Sequence, residues 1–155
     1  LDEIYLPSDF HIRQDQKNAI LNWINNGYCG IFDMATGTGK TLTALASVEQ
    51  LFRDNGKRLG IVIVCPYQHL VEQWVEDITR FGIKPIIGYS QSPQSNWKKR
   101  FSESVCSFIL RVSDLFCFIT TNDSFITKDI QDQIRLLSND VIFIADEAHK
   151  MGATV

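Results

Sequence analysis

A short apolar run that turns through two glycines into a Lys-Thr pair constrains this chain more than any other stretch. The run is Ile31-Phe32-Asp33-Met34, and Gly37 and Gly39 precede Lys40-Thr41. Residues at helical spacing follow, so the segment predicts a strand, a tight loop and the start of a helix. Glycines leave backbone N–H groups accessible, and a helix N-terminus directs further N–H groups and its positive dipole end toward the same point. The stretch therefore predicts a phosphate-binding loop.

The polar residues of this loop have defined tasks if it binds a nucleoside triphosphate. Lys40 would reach the β/γ-phosphates, and the Thr41 hydroxyl would bind Mg²⁺. The strict pattern has glycine where this chain has Met34, which is a departure. The alternative is a glycine-rich turn that binds nothing, but such a turn has no need of Lys-Thr at the start of a helix. The predicted ATP-contacting residues of the loop are Thr36, Gly37, Thr38, Gly39, Lys40 and Thr41.

The composition is that of a globular chain with moderate charge. With 155 residues, of which 45% are hydrophobic, the chain is long enough for one domain with an ordinary core. The net charge of -3 argues against a strongly basic nucleic-acid binder of the histone or zinc-finger kind. It remains compatible with a locally basic groove that binds nucleic acid.

The positions of the cysteines and the lengths of the apolar runs indicate the cellular compartment of the protein. Cys29, Cys65, Cys106 and Cys117 are far apart and have apolar neighbours, with no C-x-x-C motif among them. We expect reduced core residues and no zinc site. The sequence has no signal peptide and no apolar run approaching the roughly 18 residues of a membrane span. We therefore expect a cytoplasmic protein.

Apolar runs and helical spacings alternate along the chain. Uninterrupted apolar runs at 59–65, 115–120 and 141–145 predict strands buried on both faces, and 85–89 is a shorter candidate. Apolar residues at helical spacing predict helices at about 13–25, 40–55, 70–81, 96–112 and 126–137. This alternation predicts an α/β fold with a doubly wound, mainly parallel sheet and helices on both faces. Ligands of such sheets bind at the carboxyl ends of the strands.

Several side chains on these helices have two interpretations. Arg13 and Gln16 are solvated first-turn residues unless they contact a ligand. The triplet Lys98-Lys99-Arg100 is a solvated face unless it contacts nucleic acid. We expect Ile109 and Val112 to face the core from the helix at 96–112.

The strand at 141–145 runs directly into Asp146-Glu147-Ala148-His149. Beside a phosphate-binding loop, Asp146 would hold the Mg²⁺ shell, and Glu147 would take the proton from the attacking water. The alternative is an acidic pair that merely opens a loop, but buried strands rarely end in two carboxylates without a cation. Both segments fall at carboxyl ends of strands, so we expect them to meet.

Together these residues resemble the first motor domain of the superfamily 2 helicases and translocases. Ala35 to Thr41 is similar to their motif I, and Asp146 to His149 is similar to motif II of the DEAH kind. The segment from Cys65-Pro66 to Gln73-Trp74 resembles motif Ia, and the segment from Thr120-Thr121 to Ser124-Phe125 resembles motif Ib. The resemblance implies a RecA-like domain, truncated after motif II, over residues 1–155.

The same resemblance implies roles for individual residues. The upstream segment with Phe10, Arg13 and Gln16 is similar to the adenine-reading segment of these proteins, and His149 takes a coupling role. Pro66, Thr120 and Thr121 would contact the nucleic-acid backbone. ATP and Mg²⁺ are the implied cofactors, and Lys40 and Glu147 the implied catalytic residues.

The details of the motifs favour one branch of the superfamily. Cys65-Pro66-Tyr67-Gln68-His69 and Met34-Ala35-Thr36-Gly37 look more like the type I and type III restriction translocases and related DNA repair helicases than like the RNA helicases. We therefore expect an ATP-dependent DNA helicase or translocase, of the kind found in the restriction subunit of restriction-modification systems. The alternatives are an RNA helicase, a nucleic-acid-binding module without turnover, and a P-loop kinase or recombinase.

The order of the motifs also indicates what lies outside the sequence. Motif III and the second RecA-like domain with its arginine finger would follow Val155, so we expect a fragment with weak ATPase activity. In the resembled fold the motif III strand lies between the phosphate-loop strand and the motif II strand. The resemblance thus predicts that a central strand is missing.

Overall fold

The computed structural model describes Ile4 and residues 31–34, 40–137 and 140–146. Within these residues it contains five strands and five helices. The strands are β1 (Ile31–Met34), β2 (Leu59–Cys65), β3 (Ile86–Gly88), β4 (Leu115–Thr121) and β5 (Val141–Asp146). The helices are α1 (Lys40–Asp54), α2 (Gln68–Arg80), α3 (Trp97–Ile109), α4 (Asn122–Phe125) and α5 (Lys128–Leu136). The predicted helix at 13–25 lies outside the described residues.

The five strands form one sheet in the order β1-β5-β2-β4-β3, and every neighbouring pair is parallel. All seven residues of β2 are buried, as the uninterrupted apolar run from Leu59 to Cys65 predicts. Alternate residues along a strand point to opposite faces, so each apolar run serves two cores. The predicted doubly wound α/β sheet is confirmed.

The two cores lie on opposite faces of this sheet. On one face, Ile61 and Ile63 pack with the buried residues of α1 and α2. On the other face, Val62 and Val64 pack with α3 and with Ile130 of α5. In this second core the ring of Phe118 stacks on Phe101 at 3.9 Å between centroids. Helices therefore cover both faces of the sheet, as a parallel sheet requires.

The phosphate-loop strand and the motif II strand are direct neighbours in the sheet. β1 pairs with β5 over its full length, and the register ends with Met34 opposite Asp146. The sequence predicts that a strand is missing between these two, and here they pair with each other directly.

Two predictions about helix ends are wrong. The helix predicted at 96–112 ends at Ile109, and Arg111 adopts a left-handed backbone with φ of 60° that ends the helical path. Ile109 and Val112 are consequently exposed, Val112 by 78%. The helix predicted from Ile126 begins instead at Lys128, and Ile126 is 65% exposed in the turn between α4 and α5. Helical spacing of apolar residues misplaced both ends because it carries no information on where the backbone turns.

A buried arginine ties together the amino ends of the central strands. The Arg58 guanidinium donates to the carbonyl of Phe108 at 2.6 Å, to Asp114 at 3.0 Å and to Asp140 at 3.2 Å. It also lies 3.8 Å from the centroid of the Phe108 ring. Asn55 donates to the other Asp140 oxygen at 2.9 Å. This network stabilises the end of the sheet at which the strands begin, opposite their carboxyl ends.

The cysteines only partly match their prediction. Cys65 and Cys117 are buried, and burial raises the pKa of the Cys117 thiol. Cys106 is exposed on α3, so its assignment to the core was wrong. Cys29 lies outside the described residues. In the part of the chain that the structure describes, no helix has the length and apolar character needed to span a membrane.

Candidate nucleotide site and adjoining groove

The phosphate-loop segment is bracketed by two described elements. β1 ends at Met34, and α1 begins at Lys40, where the sequence predicts that a helix starts. Lys40 and Thr41 are thus the first two residues of a 15-residue helix, where backbone N–H groups have no partner within the helix. Residues 35–39 connect these elements and lie outside the described residues.

Asp146 lies at the same edge of the sheet as the end of β1. It is the last residue of β5 and pairs in register with Met34. Neighbouring strands are about 4.8 Å apart, so the loop that leaves β1 starts beside this carboxylate. The structure therefore brings the start of the phosphate loop and Asp146 together at adjacent strand ends. Other predicted site residues lie outside the described residues: Phe10, Arg13, Gln16, Thr36, Gly37, Thr38, Gly39, Glu147 and His149.

The Asp146 carboxylate is buried and held by an indole. Asp146 is 4% exposed, and Nε1–H of Trp74 donates to its Oδ2 at 2.8 Å. Ile142 and Ile144 precede Asp146 at alternate positions of β5, and both belong to the core that contains Trp74. This alternation directs Asp146 toward α2. The contact of Trp74 with Asp146 was not predicted from the sequence, although the alternation of β5 and the apolar face of α2 both indicate it.

The chemistry of these residues fits a magnesium-bound nucleotide. Carboxylate oxygens are ligands that Mg²⁺ prefers, and it is commonly held through one or two carboxylates and the substrate phosphates. Asp146 supplies a carboxylate at a strand end, and the helix that carries Thr41 begins after the neighbouring strand. Asp146 is therefore suited to hold the cation near the phosphates.

A groove opens at the carboxyl ends of β2, β4 and β3, beside the nucleotide end. Its volume is about 470 Å³, and the turn after β2, the end of β4 and the start of α3 line it. Pro66, Tyr67 and Gln68 form one wall, and Thr121 and Ser124 form part of another. Because β2 lies next to β5 in the sheet, the groove adjoins the strand that carries Asp146.

The predicted nucleic-acid residues differ in their position relative to this groove. Pro66 and Thr121 line it. Thr121 also caps α4, since its hydroxyl accepts from the Ser124 N–H at 3.3 Å. Thr120 has no exposed surface, and its hydroxyl donates to the Gly88 carbonyl at 2.6 Å. The Thr120 side chain therefore does not reach the groove, and the contact of this residue with nucleic acid stays a prediction.

Aromatic and charged groups from α3 and the β3 end complete the groove. Trp97 and Tyr89 are largely buried along its lining, and Lys98 is exposed at its rim. The Lys98 ammonium lies 5.7 Å from the Trp97 ring centroid and 3.9 Å from Asp129. Burial, followed by the charge of Glu72, raises the pKa of Tyr89, so its hydroxyl stays protonated at neutral pH. The lining therefore presents hydroxyl groups, the Lys98 ammonium and the Asp123 carboxylate.

A comparison with known families shows which family the chain belongs to. The family model for the type III restriction enzyme, res subunit, matches residues 9–154 of the chain. The chain belongs to this family. The res-subunit match identifies an N-terminal motor domain of helicase superfamily 2, as the motif resemblance predicted. A comparison with curated proteins gave no match.

Membership of the res-subunit family agrees with the observed fold and indicates the general activity of the domain. The parallel sheet with helices on both faces is the RecA-like architecture that the sequence predicts. The res-subunit domain is a helicase-superfamily ATPase motor, and domains of that superfamily bind nucleic acids.

Proposed function

We propose that this res-subunit domain binds and hydrolyses Mg²⁺-ATP and uses it to move along DNA, as part of a restriction subunit. The observation that carries the proposal is the register pair Met34 and Asp146, which supports one site built by the phosphate loop and the motif II strand. In this proposal residues 1–155 belong to the first RecA-like domain.

Different residues of the chain have different roles at this site. Backbone N–H groups of Gly37 to Thr41 bind the β- and γ-phosphates, and the Lys40 ammonium neutralises part of their charge. Thr41 and Asp146 would hold the magnesium ion, whose charge would offset the charge that develops on the transferred phosphoryl group. Glu147 orients the attacking water and accepts its proton. His149 couples this site to the nucleic-acid surface.

The adenine is read by the segment upstream of the loop. Gln16 would read the edge of the base through a bidentate contact of its side-chain amide, and Phe10 and Arg13 belong to the same predicted adenine-reading segment. Replacing Gln16 by alanine should then lower the preference for ATP over GTP without weakening phosphate binding.

Nucleic acid binds in the groove at the ends of β2, β4 and β3. Pro66 and Thr121 face the sugar-phosphate backbone from the groove walls, and Lys98 adds a cation at the rim. Contacts of this kind position a strand without reading its sequence. DNA is the proposed substrate, and parallel titrations with DNA and RNA of one sequence separate the two.

Calorimetry with two lysine variants tests the nucleotide site. Lys40→Ala removes the cation aimed at the β/γ-phosphates, so we expect Mg²⁺-ATP binding to fall below detection. Lys84→Ala removes an exposed lysine just before β3 and should bind as the unmodified chain does. Equal affinity of the Lys40→Ala and Lys84→Ala variants would overturn the proposal.

A further inference from the structure

Helix α2 connects the groove with the Asp146 carboxylate. Its first residue, Gln68, lines the groove, and Trp74, six residues further along, contacts Asp146. At about 1.5 Å per residue these positions are about 9 Å apart along the helix. α2 is therefore the element on which the groove wall and the partner of the metal-site carboxylate are both built.

The direction of the Trp74 indole is fixed by its surroundings. Trp74 is 2% exposed, and Leu70, Val71 and Ile78 of the same helix are buried in the same core. Because close-packed side chains have few alternative rotamers, the N–H group points at Asp146 whether or not a ligand is present. The indole N–H is its only polar group and needs a partner in this buried position.

A hydrogen bond to a carboxylate constrains that carboxylate in return. Charge-assisted hydrogen bonds are about twice as strong as neutral ones, and Asp146 is too buried for bulk water to replace this donor. Without the indole N–H, the carboxylate would lose a partner that helps to fix its orientation. Groups that orient a metal ligand in this way typically change metal affinity 10–100-fold.

We propose that Trp74 is a positioning residue that aims the Asp146 carboxylate at the magnesium ion. The inference rests on the proposed function, because it takes Asp146 as the metal ligand. Trp74 itself contacts neither the nucleotide nor the ion, and acts through the 2.8 Å hydrogen bond.

The test compares Trp74→Phe with a control on the same helix. Phenylalanine keeps an aromatic ring in the core and removes the N–H donor. Ile78→Val is the matched control, because it perturbs the same core one turn away and leaves the Trp74–Asp146 bond intact. Thermal unfolding of both variants shows whether they are folded and how much stability each has lost.

Metal affinity is the readout that a purely structural role would not change. Binding of Mn²⁺ as a magnesium substitute is followed by electron paramagnetic resonance, with and without ATP. We expect Trp74→Phe to weaken Mn²⁺ binding 10–100-fold, and Ile78→Val to leave it unchanged. Unchanged Mn²⁺ affinity in folded Trp74→Phe, or an equal loss in both variants, would overturn the proposal.

The two proposals fail in distinguishable ways. If the unmodified chain binds Mn²⁺ but not ATP, the proposed function fails, and the Trp74→Phe comparison without ATP still decides the role of Trp74. If it binds ATP but the Mn²⁺ affinity is indifferent to Trp74→Phe, the nucleotide site stands and the positioning role is wrong.

Discussion

Met34 and Asp146 are register partners at the carboxyl ends of neighbouring parallel strands, although about a hundred residues separate them in the chain. In the sequence the predicted phosphate loop follows the first strand, and the acidic pair Asp146-Glu147 begins at the end of the second. The pairing brings the starts of both segments to within about one strand spacing, 4.8 Å. The pairing of β1 with β5 therefore brings together the two strand ends from which the proposed nucleotide site is built.

Replacing Arg58 by lysine should destabilise the fold. Lysine keeps the charge but cannot reproduce the fork that reaches Phe108 O, Asp114 and Asp140. We expect the free energy of unfolding to fall by about 1.5–3 kcal/mol, the range for a lost hydrogen bond to a charged group. Urea denaturation measures this change. Arg135→Lys on the exposed face of α5 is the control, and an equal effect in both variants would show that the Arg58 network contributes little.

Replacing Gly88 by alanine should destabilise the second core. A Cβ atom at this position would lie 2.5 Å from the Phe118 ring and 2.9 Å from the Trp97 ring. Both rings are packed, so the added methyl group should lower the free energy of unfolding by about 1–3 kcal/mol. In the double variant with Phe118→Leu, the alanine should be better tolerated. A Gly88→Ala variant with the stability of the unmodified chain would contradict the packing described here.

The stability of an Asp77→Asn variant should depend on pH in a defined direction. Burial, partly offset by Arg80, raises the pKa of Asp77 in the folded chain. The folded state then binds the carboxyl proton of Asp77 more tightly than the unfolded state does. The free energy of unfolding therefore falls as pH rises through the raised pKa. Asparagine should therefore stabilise the chain at pH 7, by no more than about 1 kcal/mol because solvent screens a partly buried carboxylate.

The advantage of Asp77→Asn should fade as the pH falls. Below the unfolded-state pKa of about 3.9 the aspartate is protonated in both states, so the folded chain no longer bears the cost of a partly buried carboxylate. Thermal unfolding of both proteins between pH 3 and pH 7 measures this difference. An advantage that grows on acidification would have the wrong sign.

Nucleic-acid binding should depend on salt and on the rim of the groove. We expect Lys98→Gln to lower the slope of log affinity against log salt by about 0.7–0.9, the contribution of one phosphate contact. The loss should be similar for every sequence tested by fluorescence anisotropy. Lys84→Gln provides a charge-matched control. Strong, salt-independent binding to one sequence would argue against backbone contacts in this groove.

The sequence predicted the sheet well because each strand carries its own signal. The run from Leu59 to Cys65 has no polar interruption, which is typical of a strand covered on both faces. The exposed side chains of Val112 and Ile126 show where prediction from the spacing of apolar residues fails. Apolar character alone does not tell a core residue from one just beyond a helix end, where the backbone has turned away.

The sequence predicted the positions of residues at strand ends better than the contacts that depend on packing. Asp146 ends a strand whose apolar run is visible in the sequence, so its place at the end of β5 could be predicted. The burial of Thr120 and the Trp74–Asp146 hydrogen bond depend on which face each strand residue takes and on how α2 packs. Motif spacing contains neither, so Thr120 was assigned to a surface that its side chain does not reach.

The most direct test of this account is to map where Mg²⁺-ATP binds by titrating the ¹⁵N-labelled chain and following its backbone amide resonances. The account predicts that the largest shifts fall on Met34, Lys40, Thr41 and Asp146, with small changes at Gln68 and Ser124 in the groove. Largest shifts at Gln68 and Ser124, with Met34 and Asp146 unmoved, would place the nucleotide in the groove and contradict the account.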